Sequence, residues 1–219
     1  VSNNVKVKIK NIDTDKLEKN KNKTLFNGVN GLLVPGGFGK RGSEGKIFAS
    51  KYARENKIPF FGICFGMQMA VVDVSRNLLE YKSASSSEFG KTDTPVIGLL
   101  TEWLKDEEIQ KRDFESEYGG TMRLGSYPAI LKKGSKVRNI YGSKKINERH
   151  RHRYEVNMSF VDDLERVGLK FVGMSPDGLL PEIVELKNHP WFIGVQFHPE
   201  LKSRPFNPHP LFSSFIKAS

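Results

Sequence analysis

Residues 58–79 read IPFFGICFGMQMAVVDVSRNLL, and this stretch decides the fold. Its first six residues form a short apolar run, which is typical of a buried strand. The residues that follow show the spacing of one apolar helix face, which predicts a helix over 65–79. The residues on that face are Met67, Ala70, Val71, Val74 and Leu78. A buried strand that passes directly into a helix indicates an α/β fold with a parallel sheet.

Cys64, the only cysteine in the sequence, lies where this strand meets this helix. Gly62 and Gly66 flank it at two residues on either side, which is the layout of a nucleophile elbow. The positive end of the following helix favours a thiolate, and the Phe65 N–H is free to stabilise an oxyanion. A lone cysteine is more often a small buried hydrophobe. Here the strand, the glycines and the helix start favour a nucleophile.

A cysteine nucleophile needs a base and a group that orients the base. Among five histidines, His198 ends an apolar run and is followed by Pro199 and Glu200. Strand geometry predicts that His198 and Glu200 project to the same side, and Pro199 ends the strand at the rim of the sheet. Such a tripeptide is a weak signal alone, but with the elbow it predicts a Cys64–His198–Glu200 triad.

A glycine-rich segment, VPGGFG at residues 34–39, follows another short apolar run. Its backbone N–H groups can meet an anion or an oxyanion, which makes Gly37 a candidate oxyanion donor beside Phe65. The spacing does not fit the glycine patterns of nucleotide-binding loops. A plain turn remains the alternative.

The rest of the sequence predicts a single domain over residues 1–219 with alternating strands and helices in its first half. Residues 101–120 are acidic and non-periodic, which predicts a mobile surface loop. The expected fold is α/β, a three-layer doubly wound arrangement with a mostly parallel central sheet, helices on both faces and antiparallel additions. Strands are predicted at 5–12, 31–34, 58–63, 96–100, 129–131, 154–156, 169–172, 182–186 and 191–197, and helices at 45–56, 65–79, 161–167 and 211–218.

The chain carries a net charge of +10 from 35 basic and 25 acidic residues. Residues 1–23 hold seven lysines, and residues 132–153 hold nine lysines or arginines against one acid. Neither cluster has interleaved aromatic residues or a nucleic-acid-binding motif, so a solvated surface or a phosphate-bearing small ligand is favoured over nucleic acid. The sequence shows no signal peptide and no membrane-length apolar run. These features predict a cytoplasmic protein with no membrane or nucleic-acid partner.

Taken in order, the glycine loop, the elbow and the His-Pro-Glu tripeptide resemble the class I glutamine amidotransferases. Three further stretches are similar to the glutaminase domain of the CTP synthase family: Ser87-Glu88-Phe89, GGTMRLG at residues 119–125 and ERHRHRYEVN at residues 148–157. The resemblance implies that Cys64 attacks the carboxamide of glutamine, that His198 serves as base and then acid, and that Glu200 orients His198. It places the backbone of Gly37 and Phe65 at the oxyanion.

The resemblance also implies a glutamine-binding set around Cys64. Glu88 suits the α-ammonium group of glutamine, and Arg153 suits its α-carboxylate. Met67 contributes backbone and an apolar wall. The implied set consists of Gly37, Phe65, Gly66, Met67, Gln68, Glu88 and Arg153, with no metal ligand. One departure is Phe65, because members of the family usually have leucine after the cysteine.

Members of this family are ligases of pyrimidine biosynthesis that pass ammonia to a synthase domain, which aminates UTP with ATP and Mg²⁺. GTP activates the glutaminase half, and GGTMRLG resembles part of the mobile lid. The resemblance implies no cofactor in this domain, a monomer for the isolated domain and a tetramer for the full-length enzyme. It also implies that the synthase domain and the first strand and helix of the glutaminase domain are absent from this sequence. The alternatives are a poorly active regulatory module or the glutaminase of another ammonia-channelling synthase.

Overall fold

The computed structural model describes residues 2–99 and 122–219. Six α-helices lie in these ranges: α1 (Thr14–Asn20), α2 (Ser43–Asn56), α3 (Phe65–Asn77), α4 (Lys136–Tyr141), α5 (Val161–Arg166) and α6 (Pro210–Ala218). The same ranges hold ten strands: β1 (Leu32–Val34), β2 (Phe60–Ile63), β3 (Ala84–Ser86), β4 (Thr94–Leu99), β5 (Arg123–Leu131), β6 (Lys145–His152), β7 (Tyr154–Val156), β8 (Leu169–Met174), β9 (Pro181–Leu186) and β10 (Phe192–Val195).

Seven strands form the main sheet in the order β1-β2-β10-β9-β8-β5-β6. The pairs β1–β2 and β2–β10 are parallel, whereas the pairs from β10 to β6 are antiparallel. The α/β class is confirmed, but the sheet is mixed rather than mostly parallel. The physical reason is the second half of the chain, where short connections join successive strands and favour antiparallel pairing. A smaller sheet, β3-β4-β7, lies outside the main one.

The main sheet is covered on both faces, as the sequence predicts. Successive residues of its central strands enter two separate cores, because side chains alternate across a strand. Phe60 packs in one core with residues of α2 and α3, whereas Phe61 packs in the other with residues of α4 and α6. The three layers therefore place the start of α3 directly above the ends of the parallel strands.

Several further sequence-based expectations do not match the structure, and the strands β3 and β6 are not among the expected elements. Residues 5–12 form no strand, and Val5, Val7 and Ile9 are exposed, so their alternation serves no described sheet. The helices α1 and α4 are not among the expected elements, because each is only one or two turns long and shows little periodicity. The loop expected at residues 101–120 lies outside the described residues.

Gly66 fixes the close approach of α3 to the sheet. A Cβ at this position would lie 2.1 Å from the carbonyl oxygen of Val34, a contact that backbone atoms cannot relieve without moving. We expect Gly66→Ala to lower the free energy of unfolding by about 3 kcal/mol. Urea denaturation would measure the loss, and an unchanged midpoint would contradict this account of the packing.

Candidate active site

The elbow at Cys64 has the predicted strand–turn–helix geometry. Cys64 lies between β2 and α3 with φ 50° and ψ −107°, a conformation that L-residues rarely adopt. Its backbone N–H donates to the carbonyl of Val195 over 2.6 Å, which ties the turn to the end of β10. The side chain is buried, with 4% of its surface exposed. Strained backbone held by its surroundings is a frequent feature of functional sites.

His198 and Glu200 interact as the sequence predicts, but for a different geometric reason. The imidazole Nδ1 of His198 lies 2.6 Å from Oε1 of Glu200. The strand β10 ends at Val195, and Glu200 lies in a 3₁₀ turn, Pro199–Leu201, rather than on a strand. The expected strand alternation is therefore wrong. The turn brings the Glu200 carboxylate back to the imidazole ring. The backbone N–H of His198 donates to the Arg149 carbonyl of β6 at 2.8 Å.

The side chains of Cys64 and His198 both lie close to Gly36. A Cβ on Gly36 would lie 2.8 Å from Cε1 of His198 and 3.6 Å from Cβ of Cys64, so only glycine leaves both side chains room. The interaction with Cys64, followed by that with Glu200, raises the pKa of His198 to about 10. Nε2 of His198 nevertheless makes no hydrogen bond with a described residue. Catalytic hydrogen bonds often tighten only when substrate binds.

Glu200 stays ionised beside this imidazole. Burial, the largest single cause, raises the pKa of its carboxyl, but the hydrogen bond from His198, a backbone hydrogen bond and the charge of His198 together leave the pKa below its usual value. A carboxylate on Nδ1 directs Nε2 towards the reacting atoms. The arrangement is that of a thiol, an imidazole and a carboxylate that orients the imidazole.

The two predicted oxyanion residues lie close to each other, since a Cβ on Gly37 would lie 3.6 Å from Cδ1 of Phe65. Phe65 is the first residue of α3, so its N–H has no acceptor within the helix. The Gly37 N–H makes no hydrogen bond to a described residue. Lys46, which the sequence does not single out, lies above the Phe65 ring with Nζ 4.7 Å from its centroid. Burial lowers the pKa of Lys46, and the neighbouring Cys64 partly offsets this.

Glu88 lies at the rim of the same loop. Its Oε1 accepts the Gly39 N–H at 2.6 Å, so the carboxylate faces the glycine segment that contains Gly37. Arg153 lies on the bend between β6 and β7, is exposed, and forms no ion pair with a described residue.

The other three residues of the expected glutamine-binding set lie behind the elbow. Gly66 packs against Val34, and the side chain of Met67 is fully buried against the Gly194 backbone. The amide of Gln68 is buried and bonds to the Tyr154 carbonyl at 2.8 Å. In this structure, the side chains of Met67 and Gln68 are therefore buried.

A cluster of buried ionisable side chains lies beneath His198. Arg123 of β5 bonds to Glu182 at 2.8 Å and to Glu155 at 3.3 Å, and all three are almost fully buried. Burial is the largest cause of the raised pKa of both carboxyls. His150 and His152 bond to each other at 2.9 Å, and burial lowers the pKa of both imidazoles. We call these five residues the Arg123 cluster.

The exposed side of β6 carries the basic residues of the second lysine- and arginine-rich segment. Burial alternates along the strand, so Arg149 and Arg151 face outward while His150 and His152 face inward. Strand alternation therefore places these two arginines on one face of β6. Among the described residues, no group of three or more metal-ligating side chains is arranged to hold an ion, and none of the described helices has the length and apolarity that a membrane crossing requires.

The fold and the paired thiol and imidazole agree with comparisons to known proteins. The chain belongs to the class I glutamine amidotransferase family, because residues 1–218 match the family described as Glutamine amidotransferase class-I. It is similar to a solved structure described as Trypanosoma brucei CTPS, glutaminase domain with bound acivicin. The two share 35% identity and a TM-score of 0.86, and the match covers 98% of this chain and 81% of that one.

Among relatives of known sequence, the chain is 61% identical over 219 residues to the CTP synthases of Rhizobium leguminosarum bv. trifolii (strain WSM2304) and Maricaulis maris (strain MCS10). The match covers all of this chain but only 40% of each relative. The chain therefore corresponds to the glutamine amidotransferase domain of CTP synthases.

Proposed function

We propose that this chain hydrolyses L-glutamine to glutamate and ammonia through a thioester on Cys64. The observation that carries the proposal is the strained elbow that presents Cys64 to His198 across Gly36. Similarity to a glutaminase domain solved with acivicin supports glutamine as the substrate. Glu88 and Arg153 are the charged groups placed to receive the α-ammonium and α-carboxylate of glutamine.

In the first half of the reaction, the Cys64 thiolate adds to the carboxamide carbon and forms a C–S bond. The negative charge that develops on the carbonyl oxygen is stabilised by the N–H groups of Gly37 and Phe65. The raised pKa of His198 keeps its imidazole protonated at neutral pH. His198 therefore gives its Nε2 proton to the leaving nitrogen as the C–N bond breaks, which releases ammonia.

In the second half, neutral His198 takes a proton from a water molecule that attacks the thioester. The C–S bond then breaks, glutamate leaves, and the proton on Nε2 again balances the thiolate. Glu200 holds the ring in the same orientation throughout, since its carboxylate remains on Nδ1. His198 thus acts as an acid when ammonia leaves and as a base when water attacks.

We further propose that the ammonia serves a synthase domain in the same polypeptide, which aminates UTP to CTP with ATP and Mg²⁺ and responds to GTP. The support is that the chain spans 40% of the length of its CTP synthase relatives. A regulatory module without turnover is the second candidate, and the occupied amide of Gln68 is the observation that favours it.

An electrophilic glutamine analogue tests the glutaminase proposal. We expect incubation with 6-diazo-5-oxo-norleucine to add one analogue-derived mass to the protein, and Cys64→Ala to abolish the adduct because the chain has no other cysteine. Intact-mass spectrometry would measure both. Glutamate release by the same preparation separates the two candidates, because a module without turnover forms the adduct but releases no glutamate.

Absence of an adduct on the wild-type chain would overturn the proposal, and so would an equal adduct on Cys64→Ala. Ser50→Ala is a control for mild destabilisation, since Ser50 bonds to the buried Asp73. This variant should react like the wild type.

A further inference from the structure

Gln196 is a fully buried polar residue that directly follows β10, two positions before His198. Its backbone N–H donates to the Glu182 carbonyl at 2.9 Å, which fixes the main chain at this point. Its side-chain nitrogen lies 3.7 Å from Sγ of Cys64, within the range of an N–H···S hydrogen bond. The amide therefore contacts the sulfur atom itself.

The neighbouring groups determine which end of the Gln196 amide faces the sulfur. The Tyr154 carbonyl can only accept a hydrogen bond, so the group of Gln68 that faces it at 2.8 Å is the NH₂. The same NH₂ lies 3.2 Å from Gln196, and the atom that it meets there must also be an acceptor, the Oε1. The Gln196 NH₂ is then the end that points to Cys64. The Tyr154 carbonyl thus determines the orientation of both amides, first that of Gln68 and then that of Gln196.

The energetic value of this contact depends on the charge of the sulfur. A neutral thiol is a weak acceptor, so a buried amide gains little by donating to it. A hydrogen bond to a charged acceptor is roughly twice as strong as one between neutral groups. Donation from Gln196 therefore stabilises the thiolate more than the thiol, and it limits the directions in which Sγ can point.

We propose that Gln196 is a positioning residue that holds Sγ of Cys64 and stabilises its thiolate, and that Gln68 fixes the Gln196 amide from behind. The inference rests on the proposed function in assigning Cys64 the role of nucleophile. It also gives the side chain of Gln68 a contact with Gln196, beside the role in glutamine binding that the family resemblance implies.

Alkylation by iodoacetamide reports on this contact directly, because the chain contains a single cysteine. We expect Gln196→Leu to slow alkylation at about pH 6 by about 10-fold, since the lost hydrogen bond to a charged group leaves less thiolate. The rate at high pH should be nearly unchanged, so the midpoint of the rate–pH profile moves upward. Gln196→Glu should move it further, because a carboxylate near Sγ repels the thiolate.

Gln68→Met gives a second variant that leaves Gln196 in place but removes the donor that orients it. We expect a smaller upward shift of the midpoint of the rate–pH profile. This variant still tests the inference if Gln196→Leu fails to fold. Ser75→Ala is the matched control, because Ser75 is buried in the same helix and its hydroxyl donates to the Val71 carbonyl of that helix. Its alkylation profile should coincide with that of the wild type.

Profiles of folded Gln196→Glu and Gln68→Met that coincide with the wild type would overturn the inference. Failure of the proposed function is a separate result, because alkylation needs no glutamine. A shifted midpoint in a chain that releases no glutamate would support the role of Gln196 and reject glutaminase activity. Normal glutamate release by the wild type with unshifted variant profiles would reject the role of Gln196 alone.

Discussion

Replacing His198 with alanine is expected to lower kcat for glutamine hydrolysis by about 10⁴-fold. His198 carries the proton that the leaving ammonia requires, and no other described side chain bonds to Glu200 in its place. Steady-state measurement of glutamate release would give kcat and KM separately. KM should change little, because His198 makes no contact that holds the α-groups of glutamine. Glu200→Gln should give a smaller loss, since it keeps the ring in place but removes the charge.

The His198→Ala variant should also differ from the wild type in how its free energy of unfolding depends on pH. The pKa of His198 is about 10 in the folded chain and about 6.5 in an unfolded one, so the folded state binds more protons between these values. The stabilisation from His198 is complete below about pH 6.5 and is lost as pH rises towards 10. The free energy of unfolding of His198→Ala should therefore decline less over this range than that of the wild type. Equal slopes would contradict the ion pair.

Replacing Arg123 with methionine is expected to lower the free energy of unfolding by about 3–5 kcal/mol, the largest stability effect that the structure predicts. The change leaves the buried carboxylates of Glu155 and Glu182 without their shared cation. Urea denaturation at neutral pH would measure the loss. A loss below about 1 kcal/mol would contradict the assignment of Arg123 as the central charge of the cluster.

The pH dependence of this loss follows from the carboxyl groups. Burial raises the pKa of Glu155 and Glu182, so the folded chain takes up protons on them more readily than the unfolded chain. Stability from these groups therefore falls as pH rises through the range between the unfolded and folded pKa values. Arg123→Met should be least destabilised at low pH, where both carboxyls are neutral. The triple variant with Glu155→Gln and Glu182→Gln should recover much of the loss.

The sequence predicts the elements that carry long-range patterns. The strand and helix around Cys64 follow from a continuous apolar run and a helical repeat, and both are confirmed. Residues 5–12 show the limit of this reasoning, since their alternation is as regular as that of a real strand. An alternating segment forms a strand only where a neighbour offers hydrogen bonds, and pairing partners are not visible in local sequence.

Some residues of the candidate site could be predicted from the sequence, and others could be found only in the structure. Cys64, His198 and Glu200 could be predicted because each residue has a chemical role and a distinctive local context. Gln196 and Lys46 could not, because a glutamine in an apolar strand and a lysine on a helix have many ordinary uses. Their significance comes from distances to Cys64 and Phe65, which depend on how β10 and α2 pack around the elbow. Gln68 is among the residues that the family resemblance implies, but the burial of its amide is visible only in the three-dimensional structure.

The backbone conformation of Cys64 lowers the stability of the fold, although it places the cysteine where the proposed chemistry needs it. A side chain at φ 50° and ψ −107° costs about 1–3 kcal/mol relative to a relaxed backbone, and glycine would remove that cost. Sequence changes that favour stability alone would therefore replace the nucleophile first. We therefore expect relatives released from selection for chemistry to lose this cysteine before they lose the fold.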